Sequence, residues 1–333
     1  MKAVRLSISE ECNQLIDDYN YAIPEITQPD QILIKIKTVS VNPIDLQMTQ
    51  GKNELRILKS DILGRELAGT VESTGDNVVL FKKGDEVYLA VGSMGSNGAF
   101  AEYVVVSEDI VAHKPAQISF EQAASLPIAY VTAWQTVSRL QQPKESSILI
   151  MGASGSVGKA LINLLQYFGY NTITATAGNE YSIAELIKQG LRKEQIISYK
   201  LPDLEQKVLE INNGMYDVVI DCIGGKMTEL GANSLKREGL FIDVTNLRTE
   251  EANYILFQKA AVTMNIARYA EPELHFRYGE ILNQLSFILN DNPGWYLQET
   301  LNLGALSAEN LNKGFNMMKE NTTQGKKLIL DIR

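Results

Sequence analysis

Cysteine and histidine are scarce. Two of each stand in 333 residues, Cys12, Cys222, His113 and His275, far apart and without CxxC or HxxxH spacing. A structural zinc lobe takes four Cys or His ligands and a catalytic site usually three, so a zinc ribbon or finger is excluded and a catalytic zinc is disfavoured. Two cysteines make no disulfide framework, which reads as folding in a reducing compartment, with the cytoplasm expected. Long apolar runs are missing too: none approaches the ~20 residues needed to cross a bilayer. The opening MKAVRLSISEECNQLIDDYN alternates apolar with polar residues and turns acidic, the texture of a first strand rather than a signal peptide. Positive charge is in deficit, 31 Lys and Arg against 40 Asp and Glu, and the net charge of −9 repels phosphate backbones and anionic lipid. Neither nucleic acid nor membrane is an expected partner.

What remains is an ordinary globular composition, 45% hydrophobic and 21% charged, with no internal repeat or low-complexity segment. At about 150 residues per domain the length predicts two domains. Residues 1 to about 125 read as short strands, QILIKIKTVSV, GTVESTG, GDEVYLAV and GAFAEYVVV, separated by turns such as Thr74-Gly75-Asp76 and Lys83-Gly84-Asp85. That pattern predicts a β-rich, barrel-like unit. Helical spacing begins in FEQAASLPIAYVTAWQTVSRL, where Ser119 is placed to cap and Pro127 to break or kink the helix.

From Ser146 the texture changes to strand, turn, helix, strand. Six strands are predicted at Ser147–Met151, Asn171–Ala175, Gln195–Tyr199, Tyr216–Cys222, Gly239–Val244 and Val262–Ala267, with helices such as Val157–Phe168 and Tyr181–Gln189 between the first pairs. This is the content of a doubly wound parallel sheet. After Glu271 come a helix (Phe276–Leu289), a strand (Trp295–Leu301), a helix (Ser307–Lys319) and the apolar KKLILDI. That tail is too short to bury a core of its own, so the expected division is 1–125 with 268–333, and 126–267.

The strongest single motif is the glycine turn SSILIMGASGSVGKALINLLQYFG, with Gly152, Gly155 and Gly158 at three-residue spacing and Ala153 where the dinucleotide fingerprint has its first glycine. A strand that turns sharply into a helix presents free N–H groups to a pyrophosphate, and Gly155 and Gly158 suit close approach and tight packing. An NAD site usually ends its second strand with an acid on the ribose hydroxyls. Here Thr174-Ala175-Thr176-Ala177-Gly178 stands there, with no acid before Glu180. The absence favours NADP over NAD. A 2′-phosphate wants a cation: Arg192 and Lys193 precede the third strand, at the wrong end of the sheet, whereas Tyr199 and Lys200 follow it at the carboxyl edge. Ser154, Gly155, Ser156 and Val157 are the candidates for the phosphates, Ser154, Ser156 and Val157 acting mainly through backbone N–H groups, and Ala177, Gly178 and Ile223 complete the candidate cofactor set.

The motifs VNPIDLQMTQG (Val41–Gly51), GRELAGTVESTGDNVVLFKKGDEV (Gly64–Val87), GAFAEY (Gly98–Tyr103), LPIAYVTAW (Leu126–Trp134), GASGSVG (Gly152–Gly158) and GKKLIL (Gly325–Leu330) occur in order. With them the chain resembles the zinc-free, quinone-oxidoreductase-like branch of the medium-chain dehydrogenase/reductase superfamily. The resemblance implies a GroES-like β-rich catalytic domain, a Rossmann domain and a nicotinamide held between them. It also makes the missing metal positional: where zinc-dependent relatives carry ligands, this chain has Asn42, Arg65 and, near the third place, Ile128. Without that Lewis acid the implied chemistry is hydride transfer from NADPH to a carbon already made electrophilic, in a quinone or an α,β-unsaturated carbonyl.

Members of the branch often carry tyrosines and an Arg in and after the NPxD helix, where this chain has Gln47, Thr49 and Asn53. Tyr130 is the phenol left, either a proton donor or a packed aromatic. Asn42 reads both as a helix cap ahead of Pro43 and Asp45 and as an active-site amide. By resemblance Thr132 touches the nicotinamide or its phosphates; Arg65 itself reads as a surface or domain-contact residue. AAVTMNIA (Ala260–Ala267) reads as an edge strand that pairs two copies in a homodimer. A different class stays open: an NADP-binding redox sensor or structural protein with little catalysis.

Overall fold

Apolar residues alternating with polar ones build the first strands. In the computed structural model, which describes all residues except 10–12, 51–59, 92–97, 268–277, 293, 294, 296 and 333, β1 (Ala3–Ser7) and β2 (Gln14–Asp18) form an antiparallel pair. Cys12, Asn53, His275 and the expected helix start at Phe276 lie outside the described residues. The chain divides into two units, Met1–Val131 with Arg268–Arg333, and Thr132–Ala267.

In the first unit β3 (Gln31–Ser40) turns Ile32, Ile34 and Ile36 into the core. It leads to α1 (Pro43–Thr49) and pairs antiparallel with β4 (Glu66–Thr74), which pairs with β5 (Glu86–Ala90). β6 (Tyr103–Ser107) adds to β3, and β7 (Val111–His113) to β5. Ser119 caps α2 (Phe120–Ala124), its hydroxyl accepting from the Gln122 N–H at 3.1 Å while the Gln122 side chain accepts from the Ser119 N–H. Pro127 breaks rather than kinks the helix: it opens α3 (Pro127–Ser138), inside which the division of the chain falls.

The second unit is a run of βα units. β8 (Ile148–Met151), α4 (Ser156–Tyr167), β9 (Ile173–Ala177), α5 (Glu180–Lys188), β10 (Ile196–Ser198), α6 (Leu204–Asn212), β11 (Tyr216–Asp221), α7 (Lys226–Ser234), β12 (Leu235–Asp243), α8 (Glu250–Gln258) and β13 (Val262–Asn265) follow in order. The sheet order is β10-β9-β8-β11-β12-β13, every neighbouring pair parallel. This is the doubly wound Rossmann arrangement, whose order reverses direction at β8. Leu149, Met151, Val219 and Phe241 form one core with Ala232, Ala252 and Leu256 from the helices.

Two predicted strands move. The second runs two residues later, to Ala177, and the fifth starts at Leu235 rather than Gly239. Leu235 already pairs with Tyr216 before an irregularity at Glu238, whose φ is +60°, resets the register to Val218 and Leu240. A non-glycine residue in left-handed backbone is not signalled by strand periodicity.

The chain then returns to the first unit through α9 (Tyr278–Asp291), β14 (Thr300–Ala305), α10 (Ala308–Lys319) and β15 (Lys327–Asp331). β15 pairs antiparallel with β3, Leu330 opposite Val39, and parallel with β14, so the tail completes the first sheet. The strand expected at Trp295–Leu301 lies instead at Thr300–Ala305, the Trp295 indole being bonded to Tyr130. Among the described residues no helix is long and apolar enough to cross a membrane.

α4 and α5 are locked by a buried ion pair, Lys159 Nζ to Glu185 Oε2 at 3.6 Å, with exposed Lys188 on the other carboxylate oxygen at 2.9 Å. Glu185→Ala removes the carboxylate that pairs the buried ammonium and is expected to cost about 3–5 kcal/mol in urea unfolding. Lys188→Ala is expected to cost under ~1 kcal/mol in the same measurement.

Candidate active site

The second unit presents its glycine turn at the carboxyl edge of the sheet. Gly152, at φ +79°, ends β8, and its N–H donates to Thr176 Oγ1 on β9 at 3.2 Å. A Cβ on Gly152 would stand 2.9 Å from the Ile223 side chain, and one on Gly158 only 2.4 Å from the Gly152 carbonyl oxygen. Glycine is therefore required at both, at one to admit Ile223 and at the other to seat α4 on the turn. Gly155 differs: a Cβ there would meet only that same carbonyl, at 3.3 Å. It is exposed and stands at the N-cap of α4, which no side chain caps. The first-turn N–H groups of α4 thus have no capping side chain, the arrangement that suits a helix start to an anion.

Two aspartates fold the neighbouring strand ends by the same device. Asp221 Oδ1, at the end of β11, accepts from the N–H groups of Ile223 and Gly224, both at 2.9 Å, and its Oδ2 from Thr228 Oγ1 at 2.6 Å. Asp243, at the end of β12, accepts from the N–H groups of Thr245 (2.8 Å) and Asn246 (2.9 Å) and pairs with Arg248 at 3.0 Å. Sequence reasoning missed both, although an acid two and three residues before turn residues is a recognisable Asx signal. Between them the Cys222 thiol has its pKa pushed up by burial and by the two carboxylates.

At the end of β9 the Tyr199 ring lies on Gly178, whose missing Cβ would sit 2.1 Å from the phenol oxygen. The Tyr199 N–H donates to the Ala177 carbonyl at 3.0 Å, which brings Ala177, Gly178 and Tyr199 together. Asn179 spends its side chain on capping α5, accepting from the Ser182 N–H at 2.8 Å. Lys200 is exposed and, among the described residues, makes no ion pair. Thr132 is buried on α3, its carbonyl accepting from Thr136 Oγ1 at 2.9 Å.

In the first unit Asn42 holds the N-cap position of α1, with Pro43 first in the helix. The Asp45 carboxylate accepts from the Asn42 N–H at 2.8 Å, but the Asn42 side chain does not cap the helix. Instead its Nδ2 donates to Glu66 Oε1 at 2.9 Å and its Oδ1 accepts from Lys327 Nζ at 2.7 Å. Glu66 also accepts from Ser40 Oγ and, at 2.7 Å, from the Ile128 N–H, and pairs with Lys327 at 2.6 Å. Arg65 is not a surface residue: it is 2% exposed, with Nη2 3.0 Å from Met48 Sδ. The places assigned to Asn42 and Ile128 thus converge on Glu66, beside which Arg65 stands in the chain. Lys327, Glu66 and Ser40 were not singled out from the sequence. The available signal was a lysine opening the apolar terminal strand and a glutamate opening another.

Tyr130 is buried, and its phenol oxygen accepts from Trp295 Nε1 at 2.9 Å. Tyr88 is also buried, donating to the Leu282 carbonyl at 2.7 Å, and burial pushes its pKa up.

Residues 28–116 match the alcohol dehydrogenase GroES-like domain family. The chain is 32% identical over 237 residues to mouse (Mus musculus) NAD(P)H oxidoreductase RTN4IP1, mitochondrial, covering 66% of this chain and 58% of that protein. It is 34% identical over 240 residues to the Arabidopsis thaliana NADPH-dependent alkenal/one oxidoreductase, chloroplastic, covering 69% and 58%. The matched part therefore spans less than two thirds of these relatives' length. The solved quinone oxidoreductase of Coxiella burnetii superposes over 100% of this chain and 99% of its own, with a TM-score of 0.80 at 25% identity.

Burial raises the Asp45 carboxyl to about 6, against the opposing pull of Arg65, the Asn42 N–H and Lys327, and Glu66 adds repulsion. The folded value lies above the ordinary one, so between about pH 4 and pH 6 the folded state binds the extra proton and stability falls as pH rises. A displacement of this size corresponds to roughly 3 kcal/mol. Asp45→Asn is expected to lose that slope, so that from pH 4 to 7 its unfolding free energy rises relative to wild type by about 3 kcal/mol in urea melts. Parallel curves would show that Asp45 does not titrate in this window.

Proposed function

The chain belongs to the medium-chain dehydrogenase/reductase superfamily, in its quinone-oxidoreductase-like branch, and from there we propose that it transfers hydride from NADPH to a quinone or an α,β-unsaturated carbonyl without zinc. The observation that carries the reading is the carboxyl edge of the parallel sheet. It joins an uncapped helix start, a glycine open to close approach, and a second strand that ends without an acid. This edge fits a dinucleotide. Ser154, Gly155, Ser156 and Val157 would hold the pyrophosphate, Ala177, Gly178 and Tyr199 the adenosine, Lys200 the 2′-phosphate, and Ile223 and Thr132 the nicotinamide half. Two further features support the choice of NADPH over NADH. Asn179 is already spent on its helix, and the Arabidopsis relative is named for NADPH.

When bound, the reduced nicotinamide supplies a hydride. The chain supplies the rest. Asn42 keeps a second Nδ2–H beyond the one given to Glu66, and this donates to the acceptor's carbonyl oxygen as negative charge develops there. The Tyr130 phenol, its oxygen already accepting from Trp295, gives the proton and recovers one from water. Hydride and proton together add two electrons and two hydrogens to the acceptor. Zinc independence is supported by the residues at the expected ligand places. Asn42 and Ile128 both bond Glu66, and a protein cation, Lys327, stands against Asn42 and Glu66.

Stopped-flow oxidation of NADPH against a panel of quinones and enones is expected to show acceptor-dependent turnover. Tight NADPH binding without turnover would mark a nucleotide-binding redox sensor instead. Lys200→Ala is expected to weaken NADPH about tenfold and leave NADH unchanged, since one charge-assisted phosphate contact is worth about 1.4 kcal/mol. β13 is the exposed edge of its sheet, with Val262 59% exposed, and pairs with a second copy in this reading. Light scattering should give twice the chain mass of 37.0 kDa, and a 37.0 kDa species would remove the homodimer.

A further inference from the structure

We propose that Lys327 is a positioning residue for Asn42: with Glu66 it locks the Asn42 carboxamide in one of its two orientations and so fixes where the spare N–H points. What that N–H serves rests on the oxidoreductase reading; how the amide is held rests on geometry alone. A carboxamide turned by 180° about its last bond exchanges oxygen for NH2 at nearly the same place, and packing scarcely distinguishes the two. Chemistry distinguishes them here. An ammonium can only donate and a carboxylate can only accept, so the atom 2.7 Å from Lys327 Nζ must be the amide oxygen and the atom 2.9 Å from Glu66 Oε1 its nitrogen. The flipped amide would set NH2 against the ammonium and oxygen against the carboxylate.

The holders are themselves fixed. Lys327 and Glu66 close the triangle at 2.6 Å, and Glu66 is further bound by Ser40 Oγ and the Ile128 N–H. The exposures are 4% for Lys327, 0% for Glu66 and 4% for Asn42, so water does not screen the wrong arrangement. At the other end, the Asn42 N–H bonded to Asp45 fixes the backbone from which the amide springs. The start of α1 sets the position of the amide, and β15, 285 residues later, sets its direction.

The first test needs no reaction. In the full chain labelled with 15N at asparagine, the Asn42 side-chain signals, identified by their loss in Asn42→Ala, should exchange slowly with solvent. In Lys327→Met they should exchange at least about tenfold faster, with Lys327→Arg between. Unchanged exchange overturns the proposal. If Lys327→Met does not fold, Lys327→Met with Glu66→Gln removes both charges while leaving the amide an acceptor, and the same comparison decides. The second test reads the purpose. Lys327→Met should lower kcat about 10–100-fold, the range for residues that orient others, while the NADPH Kd stays within about twofold. The same substitution should cost nothing further in the Asn42→Ala background. Equal losses in both backgrounds, or a lost NADPH affinity, overturn it. Absence of turnover in the wild type would sink the oxidoreductase reading, and the exchange comparison would still decide how the amide is held.

Discussion

A carboxylate sealed from water has to be matched by donors, and in the first unit that demand comes from Glu66, which has no exposure at all. Its partners arrive from four places: Ser40 at the end of β3, Asn42 at the start of α1, Ile128 at the start of α3 and Lys327 at the start of β15. Leaving a buried charge of this kind unpaired costs about 3–5 kcal/mol, a large share of a domain's net stability. The site geometry follows from the same requirement. Asn42, placed by its helix, is turned by the carboxylate and the ammonium that neutralise each other beside it. The buried cluster therefore does two jobs with one set of bonds, satisfying a charge and orienting an amide.

In the second unit the controlling constraint is the parallel sheet. Every βα connection leaves its strand at the same edge, so the turns after β8, β9, β11 and β12 gather there, and each uses a side chain or a missing one to make its bend. Gly158 lets the helix sit on the turn, Asp221 and Asp243 accept the N–H groups their bends expose, and Gly178 yields its place to the Tyr199 ring. Among the glycines of the first turn Gly155 is the least crowded, a Cβ there meeting only the Gly152 carbonyl oxygen at 3.3 Å. The absent side chains are what let these turns pack so closely.

Much of this is legible in the sequence. The six parallel strands, the helix break at Pro127, the Ser119 cap and the glycine turn all depend on residues within a few positions of one another, and periodicity and turn chemistry report at that range. The misplacements have physical reasons. Glu238 sits in left-handed backbone that no strand pattern announces, and Trp295 reads as a strand residue although its indole is bound to Tyr130. Asn42 was legible as a helix start, and it is one. Its side chain does not cap that helix and is held by two charges that the local sequence does not contain.

The sequence by itself determined the class of chain, the two kinds of architecture, the glycine turn after β8 and the shortage of soft metal ligands. Each follows from composition or from short-range spacing. Only the tertiary structure decided that Glu66 gathers its donors, that Arg65 is buried beside Met48, that Tyr199 lies on Gly178, and which way the Asn42 amide faces. The bonds responsible join residues 24, 26, 62 and 285 positions apart. Partners so distant meet only when the sheet closes, and no local pattern along the chain records which charge will stand opposite which.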